Sequence, residues 1–367
     1  MGARRAHAEK LTEPAAARRP WPLVVRRARA TDEQAVMSFA THTWDGWDYI
    51  PRAWPIWLTA TDGVLLVGCH PDTDRPVAVS RVAMLTETEA WVEGIRVDPA
   101  VRGLEVATDL QVAELQWAAA QQATVVRYAT GSDNLGSHRL GARHGFQLAA
   151  EFTSLWHSED PDSDPDDPSA YDEQIRSAAT IKRQSALAAL SRDGLVAEAS
   201  SAGRSDLWPW LDAEPTLAAA RRLYEARPWC IQELTASAFA EHLERGEVIV
   251  ASSAGRRALG ILAREQAASE DSSLRLAMLV GDAPAAVRLL DAVRGSVGET
   301  PRVRVPSDGP MLADNRAVFA DAGYRSPGWM LHVLTRPLDS DNPPPAADPA
   351  RVSLVDRPSR QITPPRC

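Results

Sequence analysis

Glu93 is the first residue that invites chemistry. It is a lone acid in an extended apolar run, Trp91-Val92-Glu93-Gly94-Ile95-Arg96-Val97. Asp98-Pro99 stops that run. Arg102-Gly103-Leu104-Glu105-Val106-Ala107 follows, then a helical pattern with Leu110, Ala113, Leu115 and Trp117 among its apolar positions. A strand, a glycine-bearing turn and a helix together make an anion site. The first N–H groups of the helix lack intrahelical acceptors, and the helix dipole favours negative charge there. A phosphate-containing ligand is the expected guest.

A second stretch strengthens this reading. Asn134-Leu135-Gly136-Ser137-His138-Arg139-Leu140-Gly141-Ala142-Arg143-His144-Gly145-Phe146 lies beyond a β-rich segment, Thr124-Val125-Val126-Arg127-Tyr128. Val97-Asp98-Pro99, Arg102 to Ala107 and Asn134 to Phe146 together resemble the GNAT acetyltransferases. In that family Val-x-Pro precedes Arg/Gln-x-x-Gly-x-Gly/Ala, and Asn-x-x-Ala-x-x-Leu-Tyr-x-x-x-Gly-Phe follows. Three positions depart. Glu105 stands at the central glycine, Ser137 at the alanine, and Gly141 where the family often has a tyrosine that acts as the acid.

The resemblance implies an α/β (α+β) fold with a mixed twisted sheet flanked by helices. It implies acetyl-CoA as co-substrate. Backbone groups of Ile95, Arg96 and Val97 would hold its pantetheine arm, and the N–H of Ile95 could polarise the thioester. The helix-start amides of Arg102, Gly103, Leu104, Glu105, Val106 and Ala107 would hold the diphosphate, with Asn134 from the second motif beside the cofactor.

Glu93 is then the candidate general base, acting directly or through water. The acid that protonates the leaving thiolate is either absent, or water, or another group such as Tyr128. Asp45, Asp48 and His138 are fallback bases. Arg96 and Arg52 could clamp a substrate carboxylate. His138 and His144 read as solvated histidines on a surface helix.

His42 to Leu58 is rich in aromatic residues mixed with acids, glycine and prolines. It reads equally as a core-packing helix and loop or as a substrate pocket wall, with Asp45, Trp47, Asp48 and Tyr49 the candidate substrate-binding residues. Asp45 to Pro51, Trp57-Leu58 and Val92 to Val97 are similar to the histidine N-acetyltransferases of vertebrates. That likeness implies acetylation of the α-amine of a free amino acid.

The elements that must position these groups follow in order. Leu23 to Arg27 is a strand. Thr31 caps a helix running to about Thr43. Val64 to Cys69 and Pro76 to Leu85 form a hairpin, and Glu89 to Val97 is the next strand. A second pass of the same grammar begins near Asp206. Thr216 to Ala226 and Thr235 to Arg245 read as helices, Val248 to Ser252 and Ala258 to Arg264 as a hairpin. Leu274 to Val280 and Arg302 to Pro306 read as strands, with a helix capped by Asp282 between them. Asp314 to Tyr324 echoes the second motif. Gly281-Asp282-Ala283-Pro284 stands where the phosphate turn would be, and an acid and a proline are poor hosts there. The expectation is therefore tandem GNAT folds with a degenerate second copy.

The implied organisation is a disordered tail over 1–20, an acetyl-CoA-binding domain over 21–157, and an acidic linker and helix over 158–204. The degenerate domain covers 205–338 and a Pro-rich disordered tail 339–367. Ile175 to Leu190 has helical spacing. The chain of 367 residues is long enough for two cores, and its net charge of −9 comes from eight acids between Glu159 and Glu173. Without them the charges nearly balance, so no nucleic-acid footprint is visible. Three cysteines without metal spacing, no transmembrane-length run and no targeting signal read as cytoplasmic. The expected partners are acetyl-CoA and a small-molecule amine, with no nucleic acid and no membrane, and a monomer or weak homodimer. A catalytically silent acyl-CoA-binding scaffold and a protein lysine or N-terminal acetyltransferase remain as alternatives.

Overall fold

A computed structural model describes residues 22–41, 48–157, 190–191, 195, 201–253, 255–263, 275–297, 302–326, 328–347 and 352–354. The expected tail over 1–20, residues 348–351 and 355–367 of the expected tail over 339–367, the acidic segment from 158, the helix from Ile175, and Asp45 and Trp47 lie outside these residues. The chain forms two compact units. The first comprises Met1–Ala83, Val92–Gln121 and Pro343–Ile362, and the second Met84–Trp91, Gln122–Asn342 and Thr363–Cys367.

The order of elements through residue 157 is the expected one: β1 (Leu23–Arg27), α1 (Glu33–Ala40), α2 (Ile50–Thr59), β2 (Gly63–Cys69), β3 (Pro76–Met84), β4 (Glu89–Val97), α3 (Val106–Ala120), β5 (Val125–Gly131), α4 (Leu135–Arg143) and β6 (Gln147–His157). In the first unit β1, β2, β3 and β4 are successive neighbours in the sheet, and the short strand Val352–Leu354 runs parallel to β1. Apolar side chains on one face close over Val36, Phe39, Ile50 and Trp54 of α1 and α2, with Leu65, Val67 and Val79 below them. Burying Ile50 and Trp54 completely contributes roughly 2–3 kcal/mol each.

Two local expectations needed correction in this unit. Thr31 caps no helix. A 3-10 turn, Ala30–Asp32, precedes α1, and the Asp32 carboxylate takes the N–H of Arg29 at 2.7 Å and the guanidinium of buried Arg26. The helix expected beyond the Arg102 turn begins at Val106, and Gly103 and Glu105 before it both have left-handed backbone, φ 82° and 63°. Helix α3 is buried nearly all round. Asp109, Gln111 and Glu114 are buried with its apolar residues, which a one-faced helical pattern does not anticipate.

In the second unit, β5 receives the opening residues of β4 in parallel, through Glu89↔Val125, Ala90↔Val126 and Trp91↔Arg127. The remaining elements are α5 (Ser201–Asp212), α6 (Pro215–Ala219), β7 (Leu223–Arg227), β8 (Cys230–Glu233), α7 (Ala236–Glu244), β9 (Val248–Ser253), β10 (Arg256–Ala263), β11 (Arg275–Gly281), α8 (Ala283–Val297), β12 (Arg302–Pro306), α9 (Pro310–Ala313), α10 (Arg316–Asp321), β13 (Tyr324–Arg325) and β14 (Leu331–Pro337). The expected helix from Thr216 to Ala226 is broken. Arg221 and Arg222 have φ 51° and 62°, and the chain turns back into the hairpin β7–β8.

The strand order in this unit is β5-β14-β6-β12-β11-β10-β9. Strand β14, from the end of the chain, inserts between β5 and β6. Strand β6, from the first half of the chain, in turn pairs with β12, and its Leu155 packs with Leu289, Val303 and Val305 of the second half. The two halves of the sequence thus share one sheet in this unit.

Candidate active site

Alternation along β3 builds the site. Ser80 and Arg81 are neighbours, so their side chains leave opposite faces of the strand. Arg81 points to the side of α2. Its guanidinium bonds Asp62 at 2.5 Å and Glu93 Oε1 at 2.5 Å, and lies 5.7 Å from the centre of the Trp57 ring. Ser80 points to α3. Its hydroxyl meets the carboxyl of Glu114 and lies 3.3 Å from the main-chain oxygen of Glu93.

Glu93 sits on β4 with about a fifth of its side chain exposed. Among the described residues only Arg81 binds its carboxylate, through Oε1. Gly94 follows at φ 74°, a backbone conformation that side-chain-bearing residues rarely adopt. A Cβ there would meet the Trp57 ring at 2.7 Å and Ile50 Cδ1 at 3.1 Å. Glycine is required for both reasons, and the strand is bent at the residue after the candidate base. Ile95, Arg96 and Val97 beyond the bend are half-buried.

Arg96 is committed within the fold. Its Nε and Nη2 bond Asp48 at 2.5 and 3.3 Å, and Nη1 bonds the oxygen of Ile95 at 3.0 Å. It also lies 5.3 Å from the centre of the Tyr49 ring, which meets Trp57 edge-on. Asp48 is buried and also takes the N–H of Ile50, fixing the start of α2. Three of the five N–H donors of Arg96, the residue expected to clamp a substrate carboxylate, are thus committed to Asp48 and Ile95. Arg52 is exposed on α2. Of the expected substrate-binding residues, Asp48 and Tyr49 come together with Arg96.

The expected phosphate turn lies between β4 and α3. Arg102 and Gly103 are exposed, and a Cβ on Gly103 would meet nothing within 4 Å. Leu104 is buried and anchors the turn below. Glu105 occupies the N-cap position in left-handed backbone, and its carbonyl takes the N–H of Asp109 at 3.0 Å. The amides of Val106 and Ala107 open the helix by its geometry. Of the amides expected to hold a diphosphate, those of Arg102 and Leu104 bond the oxygens of Pro99 and Val101 at 3.4 and 3.3 Å.

The groups of the second motif lie in the second unit. Asn134 caps α4. Its side chain takes the N–H of Ser137 at 3.2 Å and donates to Thr130 at 2.9 Å. Tyr128 is buried, donates to the oxygen of Ser137 at 3.0 Å and meets Phe146 edge-on. His138 stays half-exposed beside His332, with Nε2 3.2 Å from the oxygen of Gly131. His144 is not a solvated histidine. It is 8% exposed, and burial first, then Arg336 and Arg143, hold its pKa down at about 4.

Sequence reasoning missed Ser80, Arg81, Asp62 and Glu114. A signal existed for two of them. Arg81 interrupts a strand whose other residues are almost all apolar, and Glu114 lies between Ala113 and Leu115 in a helix with few charges. Asp62 follows α2 in a turn and looks like any loop acid.

Residues 32–146 match the model of the acetyltransferase (GNAT) family. Among solved structures, a protein from Thermoplasma acidophilum assigned as an acetyltransferase superposes with TM-score 0.50 and 14% identity, over 86% of this chain and 99% of its own. A GCN5-related N-acetyltransferase from Sphaerobacter thermophilus matches with TM-score 0.48 and 15% identity, over 91% of this chain and 100% of its own. No curated protein matches by sequence. Among the described residues no helix is long and apolar enough to cross a membrane. Residues 32–146 form an acetyltransferase domain of the GNAT family, and the chain shares its fold with a solved protein assigned as an acetyltransferase.

Proposed function

We propose that the chain acetylates the amine of a free amino acid or small amine by direct transfer, with Glu93 as general base. The observation that carries this reading is Glu93 itself. It is a partly exposed carboxylate on the residue before the bend of β4, held by Arg81 through one oxygen. The amine nitrogen attacks the thioester carbonyl carbon. A C–N bond forms, the C–S bond breaks, and the amine proton passes to Glu93 or to a water it holds. The sulfur leaves as thiolate or takes a proton from water. Holding both reactants in place supplies several kcal/mol of the barrier.

The likeness to the histidine N-acetyltransferases makes the α-amine of a free amino acid the first acceptor to try. The Asp48–Arg96 pair favours acceptors that need no carboxylate clamp from Arg96. Tyr49 and Trp57 supply apolar walls beside that pair. The phosphate turn from Arg102 to Ala107 is the proposed diphosphate site, and the Glu93–Val97 strand the proposed pantetheine site.

The second half is proposed to be a degenerate copy with a structural role. Its helix α8 begins at Ala283, within Gly281-Asp282-Ala283-Pro284, and Leu217, Ala220, Leu223 and Tyr224 line a small pocket beside β11. The test of the function is thiol release from acetyl-CoA against the twenty amino acids, their decarboxylated amines and common polyamines. Release stimulated by none of them overturns the small-molecule reading.

A further inference from the structure

Behind the reacting strand lies a carboxyl group that the transfer itself does not use. Glu114 on α3 is fully buried, and so is its partner Ser80 on β3. The Ser80 oxygen contacts two acceptors, Glu114 Oε1 and the main-chain oxygen of Glu93. A hydroxyl has one hydrogen to give. If Glu114 were ionised, Ser80 would donate to it and the Glu93 carbonyl would lose that donor. If Glu114 is protonated, it donates to Ser80 and Ser80 donates to Glu93.

Burial decides between the two. A lone carboxylate with a single hydroxyl partner is costly in an apolar interior, so the neutral acid wins. Burial pushes the Glu114 carboxyl up to about 8. Among the described residues its Oε2 has no partner, as suits a carbonyl oxygen rather than a charged one. The charged groups on the strands around it are engaged elsewhere. Arg26 binds Asp32 and Asp74, Arg81 binds Asp62 and Glu93, and Arg96 binds Asp48, while Arg27 is exposed.

The carbonyl thus held belongs to the peptide joining Glu93 to Gly94, at the bend. A trans peptide points its C=O and N–H in opposite directions, and the described residues contain no cis bond. With the oxygen turned to Ser80 on β3, the Gly94 N–H faces away from β3. We propose that Glu114 is a positioning residue for acetyl transfer: through Ser80 it fixes the Glu93–Gly94 peptide plane, and with it the direction of the Gly94 amide and the placement of the Glu93 carboxylate. This rests on the reading of β4 as the reacting strand.

The test is steady-state thiol release by the full chain between pH 6 and 9.5, for wild type, Ser80→Ala, Glu114→Leu, Glu114→Gln and Glu93→Gln. Ser80→Ala and Glu114→Leu should lower kcat about tenfold or more with little change in the KM for acetyl-CoA. Glu114→Gln restores a donor to Ser80, so most of kcat should return. In the wild type, kcat should fall above about pH 8, when Glu114 ionises and draws the Ser80 hydrogen to itself. Glu114→Gln should lack that limb. Infrared spectra should show a protonated-carboxyl band in the wild type that Glu114→Gln loses, a readout independent of activity.

If Glu114→Leu does not fold, Ser80→Ala and Glu114→Gln still decide. Wild-type kcat in Ser80→Ala alongside a reduced kcat in Glu93→Gln overturns the positioning role alone. An identical alkaline limb in Glu114→Gln, or no carboxyl band, overturns it as well. Wild-type kcat in both Glu93→Gln and Ser80→Ala overturns the assignment of β4 itself.

Discussion

The hydroxyl of Tyr128 fills the space above Gly141. A Cβ built on that glycine would land on the Tyr128 oxygen and sit 3.1 Å from Cζ. The residue that looks like a missing tyrosine on α4 is thus matched by a tyrosine reaching across from β5, with its proton on the oxygen of Ser137.

That relationship predicts a coupled pair. Gly141→Ala gains about 1 kcal/mol of helix propensity but forces Tyr128 to move, so a net loss of about 1–2 kcal/mol is expected. Tyr128→Phe removes the obstructing oxygen. The double variant should recover much of the loss, a coupling of at least about 1 kcal/mol in a denaturant double-mutant cycle. Additive effects would show that the helix simply shifts aside.

The Asp48–Arg96 pair predicts a change in acceptor preference. Asp48→Asn removes the counter-charge from an arginine whose side chain is 12% exposed. Stability should fall by about 2–4 kcal/mol, as for a buried pair losing one partner. The released guanidinium should then favour acceptors that carry a carboxylate. The ratio of KM values for an amino acid and its decarboxylated amine should shift toward the amino acid.

These two features show what the sequence made legible. The strand and turn from Glu93 to Ala107 could be read because their glycine, proline and charge punctuate a regular pattern within some fifteen residues. The partner of Arg96 could not be read, since Asp48 is 48 residues away and pairing across that distance leaves no periodic trace. Tyr128 was singled out as an acid, but its fit against Gly141 depends on how β5 faces α4. The insertion of β14 between β5 and β6 was invisible for the same reason. Strand propensity marks a strand and says nothing about its neighbours.

Glu105 predicts a gain. A non-glycine residue at φ 63° is strained by about 1 kcal/mol, and its carboxylate stands at the turn proposed to hold a diphosphate. Glu105→Gly should raise Tm by a few degrees. It should also tighten acetyl-CoA by a few-fold in calorimetric titration, with one site per chain. Weaker binding would mean that Glu105 organises the turn.

His144 predicts acid sensitivity. Its folded pKa of about 4 lies below the ordinary 6.5, so the unfolded chain takes up a proton that the folded chain refuses. Stability from this group is full above pH 6.5 and is lost as pH falls toward 4, by up to about 3 kcal/mol. Wild type should lose more stability than His144→Leu across that window. Parallel curves would place His144 in contact with water.

The last prediction concerns Glu93 and uses its tie to Arg81. Glu93→Gln keeps the shape and one acceptor for Arg81 but cannot take a proton. Arg81 still has Asp62 at 2.5 Å, so the buried guanidinium is not stranded, and Tm should change little. If Glu93 is the base, kcat should drop on the order of a hundredfold or more, while acetyl-CoA affinity stays nearly unchanged. The wild-type rate should also rise with pH through an ionisation that the variant lacks. Substantial activity in Glu93→Gln with an unchanged limb would leave Glu93 as a brace for Arg81, and the amine would then have to arrive already neutral.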